Sequence, residues 1–145
     1  MYAMISLEAV SALNQLLQVV CRSLPMYLAD ARPWVRPGHQ PLQAALERLV
    51  ADRRRYAQRV AEAVTALGGR PDPGRFSSRF AAKNDLSLEF LLPEVIESQE
   101  EDLVQIDGCL PALDGEPALH ALAEEIRGNV RGHLDLLREA ARASP

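Results

Sequence analysis

Lysine is almost missing from this chain: Lys83 is the only one, and arginine carries the remaining positive charge. That imbalance reads as genome composition more than function. Aromatic residues make up only 5% of the 145 positions, and β-branched residues are sparse. Long strands are therefore not expected, because they draw on those residue types. Only two cysteines occur, Cys21 and Cys109, too few for a disulfide framework. Both sit in apolar helical context, where a free thiol behaves as a small hydrophobe. No apolar run reaches the ~18–20 residues of a membrane span, and no signal-peptide pattern is visible, so a cytoplasmic protein is expected. A net charge of −4 gives no basic footprint for nucleic acid. P-loop, dinucleotide-binding and Ser/His/Asp or Cys/His patterns are absent as well.

What is abundant is Ala, Leu, Arg and Glu, a helix-favouring mixture, in a length suited to one domain spanning residues 1–145. Apolar residues recur at helical spacing in four segments. The first, residues 5–31, carries Leu7, Val10, Leu13, Leu17, Val20, Leu24 and Leu28 on one face. Ser6 is a weak candidate cap, and Pro25 should kink the helix because it lacks a backbone donor. "RPWVRPGHQP" then breaks the chain. The second helix is predicted from Pro41 to Leu67 and stops at Gly68 and Gly69. The seventeen-residue linker "GGRPDPGRFSSRFAAKN" follows. At ~3.3 Å per residue it is long enough to run the length of a bundle. The third helix is expected to start at Asn84 or Asp85, with Leu88, Leu92, Val95, Gln99, Leu103, Ile106 and Leu110 inward. Pro93 should bend it or mark a late start. The fourth, from Pro117 to about Ala143, points Leu119, Leu122, Ile126, Val130, His133, Leu137 and Ala141 at the core.

Four helices with a long connection between the second and third give an all-α four-helix bundle of ferritin-like topology. One position breaks the apolar stripe of the second helix. Between Leu49 and Tyr56, the residue in phase with the core is Arg53. A buried guanidinium is costly unless paired and fully hydrogen-bonded. The facing third helix is acidic, so Arg53 is expected to pair with Glu100 or Glu97, or to donate to Gln99. Tyr56, Asn129 and His133 would complete a central polar cluster. A second arrangement also fits: Arg53 snorkels outward while its stem packs inside. A register shifted by one residue would instead turn Arg54 or Asp52 inward.

The stretch "LNQLLQVVCRSLPMYLADAR", residues 13–32, resembles the first helix of a bacterioferritin, through Leu13, Asn14, Leu16, Leu17, Tyr27, Ala31 and Arg32. "LGGRP", residues 67–71, resembles the end of that family's second helix, and "GHLDLL", residues 132–137, its fourth. The resemblance covers most of the chain and implies a ferritin-like four-helix bundle. Such bundles hold two iron ions with a carboxylate from each of two helices and a Glu-x-x-His from each of the others. Carried over position by position, the first-helix carboxylate falls on Val20. The second-helix pair falls on Arg53 and Tyr56, and the fourth-helix pair on Val130 and His133. The third-helix carboxylate falls on Glu97 by counting and on Gln99 by helical phase. Taking the phase, since loop lengths vary, only His133 is a ligand type at its place.

The resemblance therefore implies the fold without the di-iron centre: no cofactor, no catalytic residue, and a non-enzymatic structural or binding protein. Iron bound weakly by His133 and a nearby carboxylate is the alternative. It would be a metal-binding protein or oxidoreductase using His133 with Glu97, Glu100 or Glu101, and with Asp52 or Tyr56. A third possibility is a small-ligand binder with a cavity opened by the kinks at Pro25 and Pro93. Family members commonly pair through the outer faces of the first two helices, which implies a homodimer. Trp34, Tyr2, Phe76, Phe80 and Phe90 are the candidate anchors.

Overall fold

The computed structural model describes residues 2–143, and side chains from residue 7 onward. It contains five α-helices: α1 (Tyr2–Arg22), α2 (Leu24–Ala31), α3 (Gln40–Ala66), α4 (Leu88–Cys109) and α5 (Pro117–Ala143). α1 and α2 together make up the first long element, so the all-α, four-segment expectation holds. The anticipated kink is a full break. Ser23 is extended, and Pro25 sits in the first turn of α2, where its missing N–H is harmless. Ser6 lies inside α1 and does not start it.

α4 also begins later than expected. Residues 78–83 form a short 3-10 helix ending at Asn84, and Asp85 turns the chain with φ 70°. The N-cap is Ser87, whose Oγ accepts from the Phe90 N–H at 3.2 Å. Pro93 is accommodated inside α4, one turn further on. α5 matches its expected span.

The linker lies along α1 and α2. Asn14 bonds to Arg70 and Asp72, Arg22 donates to the Gly74 carbonyl, and Tyr27 donates to Asn84. Read in order, these contacts carry the crossover from one end of the bundle to the other. α3 and α4 therefore run in the same direction, as the pairings of His39 with Glu89 and Arg53 with Asp102 also show. α5 returns antiparallel to both, linking Asp107 to Arg127 and Asp52 to His133. Phe76 and Phe80 pack on Tyr27 at ring separations of 5.5 and 5.6 Å. These two aromatics pin the crossover to the chain's own surface and are not free anchors. Trp34 and Phe90 are exposed. The side chain of Tyr2 lies outside the described residues.

Two apolar clusters fill the interior. One joins α1 with the far half of α3, the far half of α4 and the near half of α5, around Leu13, Val20, Val64, Ile106 and Val130. The other joins α2 with the start of α3 and of α4, around Leu28, Leu49, Leu91 and Val95. The turn "LGGRP" closes α3. The Gly69 N–H reaches the Val64 carbonyl at 3.0 Å and that of Gly68 the Thr65 carbonyl at 2.9 Å, a Schellman motif. Gly68 takes φ 80° there. Gly69 has a different reason to be glycine: a Cβ would lie 2.7 and 2.8 Å from the two Val10 methyls. Gly69→Ala should cost ~1–3 kcal/mol in a denaturant titration, because short branched Val10 cannot swing aside without unpacking α1 from α3.

Candidate functional site

Arg53 lies between the two apolar clusters and is 1% exposed. Its side chain does not snorkel. Nη2 donates to Gln99 Oε1 at 2.5 Å and to Asp102 Oδ2 at 3.0 Å, and Nη1 donates to the Val19 carbonyl at 3.1 Å. Each partner has a local origin. Gln99 and Asp102 are three residues apart on α4 and so share one face. Val19 is among the last four residues of α1, whose carbonyls lose their intrahelical donors where the helix ends. The break at Ser23 thus creates an acceptor that the guanidinium fills. Nε of Arg53 has no partner. Gln99 Nε2 donates to Ser98 Oγ at 3.3 Å, completing a polar layer across the waist of the bundle.

The carboxylate that meets Arg53 is Asp102, not Glu97 or Glu100. Glu97 is exposed, and Glu100 faces Arg138 at 3.7 Å. Helical phase places both Asp102 and Leu103 one turn beyond Gln99, and an apolar stripe by itself favours Leu103. Burial pushes the Asp102 carboxyl up to about 6, although the Arg53 cation beside it pulls the other way.

Tyr56, Asn129 and His133 do not join this layer. Asn129 and His133, one turn apart on α5, both bond Asp52 Oδ2, at 2.9 and 2.6 Å. Arg55 holds the other Asp52 oxygen. Burial raises the Asp52 carboxyl, but the bonds from Asn129 and His133 outweigh it and hold the group below its ordinary range. Tyr56 turns the other way and donates to Glu125 Oε2 at 2.9 Å, which Arg59 also reaches at 2.6 Å. The expected single cluster is therefore three separate ones: Arg53–Gln99–Asp102, Asp52–Asn129–His133, and Tyr56–Arg59–Glu125. The reason is geometric. Arg53 and Asp52 are neighbours in sequence, so α3 sends them about 100° apart, one toward α1 and α4 and the other toward α5.

Of the positions the bacterioferritin resemblance assigns to ligands, Arg53 and Gln99 touch each other. Val20 and Val130 fill the apolar cluster beside them. Of the carboxylates considered for a site at His133, only Asp52 reaches the ring. Among the described residues, no group of three or more His, Cys, Asp or Glu side chains is placed to hold a metal ion. Burial raises both thiols, at Cys21 and Cys109, and so favours the unreactive protonated form. No helix among the described residues is long and apolar enough to cross a membrane.

Fold and waist together define an all-α helical bundle whose centre is held by a buried arginine. No known protein family, no curated protein and no solved structure matches the chain.

Proposed function

We propose that this is a ferritin-like bundle in which a fixed organic cation occupies the place of the metal ions, and that it serves as a non-enzymatic structural or binding protein. The observation that carries this is the Arg53 guanidinium, buried at a position the bacterioferritin resemblance gives to a ligand and engaged with Gln99 and Asp102. The order of helix directions, with the crossover joining parallel α3 and α4, supports the ferritin-like part. A metal ion at that centre would have to displace a cation already hydrogen-bonded to three acceptors. His133 supports the same conclusion, since its ring nitrogen is spent on Asp52.

Incubation with ferrous iron in air, followed by elemental analysis and optical detection of oxidation, tests it. The expected outcome is no retained iron and an oxidation rate equal to that of buffer alone. Near-stoichiometric iron, lost in His133→Ala, would overturn the proposal in favour of an iron site at His133.

A homodimer is part of the same proposal, with exposed Trp34 and Phe90 as its anchors. Sedimentation equilibrium should give twice the chain mass, and Trp34→Ala should shift the protein toward monomer. A monomer at all concentrations would remove this part alone.

A further inference from the structure

A cleft of about 500 Å³ opens where α1 gives way to α2, between the crossover and α4. Val20, Arg53, Tyr56, Gln99, Val130 and His133 do not line it, so it is a separate space from His133, although Glu97 and Glu101, two of the carboxylates considered for a metal, belong to its wall. Its two walls carry opposite charge. The crossover contributes Arg75 and Arg79, and α4 contributes Glu97 and Glu101. Among the described residues, none of these four takes part in an ion pair. Arg79 makes only a 3.4 Å bond from Nε to Ser77, which leaves the end of its guanidinium free.

Opposite charges facing each other on adjacent elements usually close into ion pairs, and Lys83 of the crossover does so with Glu94 of α4, also in the lining of this cleft, at 2.8 Å. Arg75 and Arg79 are not closed onto Glu97 and Glu101 in this way. Two buried polar groups lie between them. Ser23 is 7% exposed, and its hydroxyl has no hydrogen-bond partner. Asp102 is 6% exposed and accepts from Arg53 and Gln99 through Oδ2 alone, which leaves Oδ1 without a bond. A buried hydroxyl without a partner costs free energy that a ligand recovers by bonding to it.

We infer that the cleft binds a small zwitterion, its ammonium group held by Asp102, Glu101 and the Ser23 hydroxyl and its carboxylate by Arg79 and Arg75. An anion alone would meet the carboxylates of Glu97, Glu101 and Asp102 beside Glu94, and a cation alone the guanidiniums of Arg75 and Arg79 beside Arg22 and Lys83. Only a molecule bearing both signs, separated by a short apolar spacer, answers both walls. The volume is ample for such a molecule with ordered water beside it. This gives a specific content to the binding role proposed above, yet the cleft does not depend on whether iron binds. Failure of one therefore leaves the other standing.

The test uses the full chain and ω-amino acids with two to six methylenes, titrated while amide shifts are followed by NMR. Pentylamine and valerate serve as singly charged controls. At least one ω-amino acid should give saturable shifts centred on Ser23, Arg79 and Glu101. It should bind about tenfold or more tightly than either control, since each control forfeits one set of charge-assisted hydrogen bonds. Glu101→Gln and Arg79→Gln, both at exposed positions, should each weaken it by about tenfold. No saturable shift across the series would overturn the inference. So would equal binding of pentylamine or valerate, or retention of affinity in both variants.

Discussion

Replacing Arg53 with methionine is expected to cost ~3–5 kcal/mol, a large fraction of the ~5–15 kcal/mol that holds a typical domain folded. Methionine keeps much of the stem volume, so the loss comes from the partners. Asp102 would be left buried beside no cation, and the Val19 carbonyl and Gln99 Oε1 would each lose their donor. Arg53→Lys should recover only part of the loss. An ammonium is a compact charge without the planar fork that reaches acceptors on α1 and α4 together. The triple variant R53M/Q99L/D102L is the informative comparison. It removes donor and acceptors at once and should return to within ~1–2 kcal/mol of the parent, because a buried ion pair rarely outperforms apolar packing of similar volume. Urea midpoints for the three variants give the answer. A single substitution as mild as an exposed one, within ~0.5 kcal/mol, would mean that Arg53 reaches solvent.

The second large effect is a pH dependence with an unusual sign. Asp102 titrates near 6 in the folded protein, against 3.8 for an ordinary aspartate. Between these values the native state holds a proton that the unfolded chain has released. Stability must therefore fall as pH rises through that window. The contribution is fully present below ~4 and lost above ~6, with a span of roughly 3 kcal/mol from a shift of about two units. Asp52 and Glu89 act in the opposite sense. Their carboxyls are held below the ordinary range, so they stabilise at neutral pH and weaken the fold only as it becomes strongly acidic. The sum places maximal stability on the acid side of neutrality. Asp102→Asn isolates the group, since asparagine does not titrate. Stability of the parent relative to this variant should rise by roughly 3 kcal/mol from pH 7 to pH 4. Parallel curves over that range would show that Asp102 has an ordinary pKa.

The helices themselves were legible because their signals are local. A 3.6-residue stripe, a Gly-Gly stop after Leu67 and a long Gly/Pro linker each depend on a few neighbouring residues. The inward phase of Arg53 and Gln99 followed from the same stripe, and both are buried. What the chain did not disclose was pairing between helices. Whether α4 offers Glu97, Glu100 or Asp102 to α3 depends on the vertical offset of the two helices, which the crossover sets and periodicity does not encode. The division of one polar cluster into three has the same source. Asp52 faces α5 and takes Asn129 and His133, while Arg53 is left to α1 and α4. The acceptor at Val19 was also out of reach, since it arises only from the break at Ser23. Pro25 signalled a disturbance in that helix but not which carbonyl would be left without its donor.

Crossover, helix break and waist are physically connected. The break at Ser23 frees the Val19 carbonyl for Arg53. It also opens the cleft whose floor includes Asp102, so one interruption in the first long segment serves both features. Arg22, just before the break, anchors the crossover through the Gly74 carbonyl and lies over the Phe76 ring at 4.8 Å.

The most direct measurement is the side-chain NMR of Arg53, with exposed Arg54 as the control in the same spectrum. A guanidinium fixed to Val19, Gln99 and Asp102 should give resolved Nη protons that exchange slowly with solvent, while those of Arg54 are averaged and fast. Averaged, rapidly exchanging Nη protons at Arg53 as well would contradict the fixed cation on which the proposed function rests.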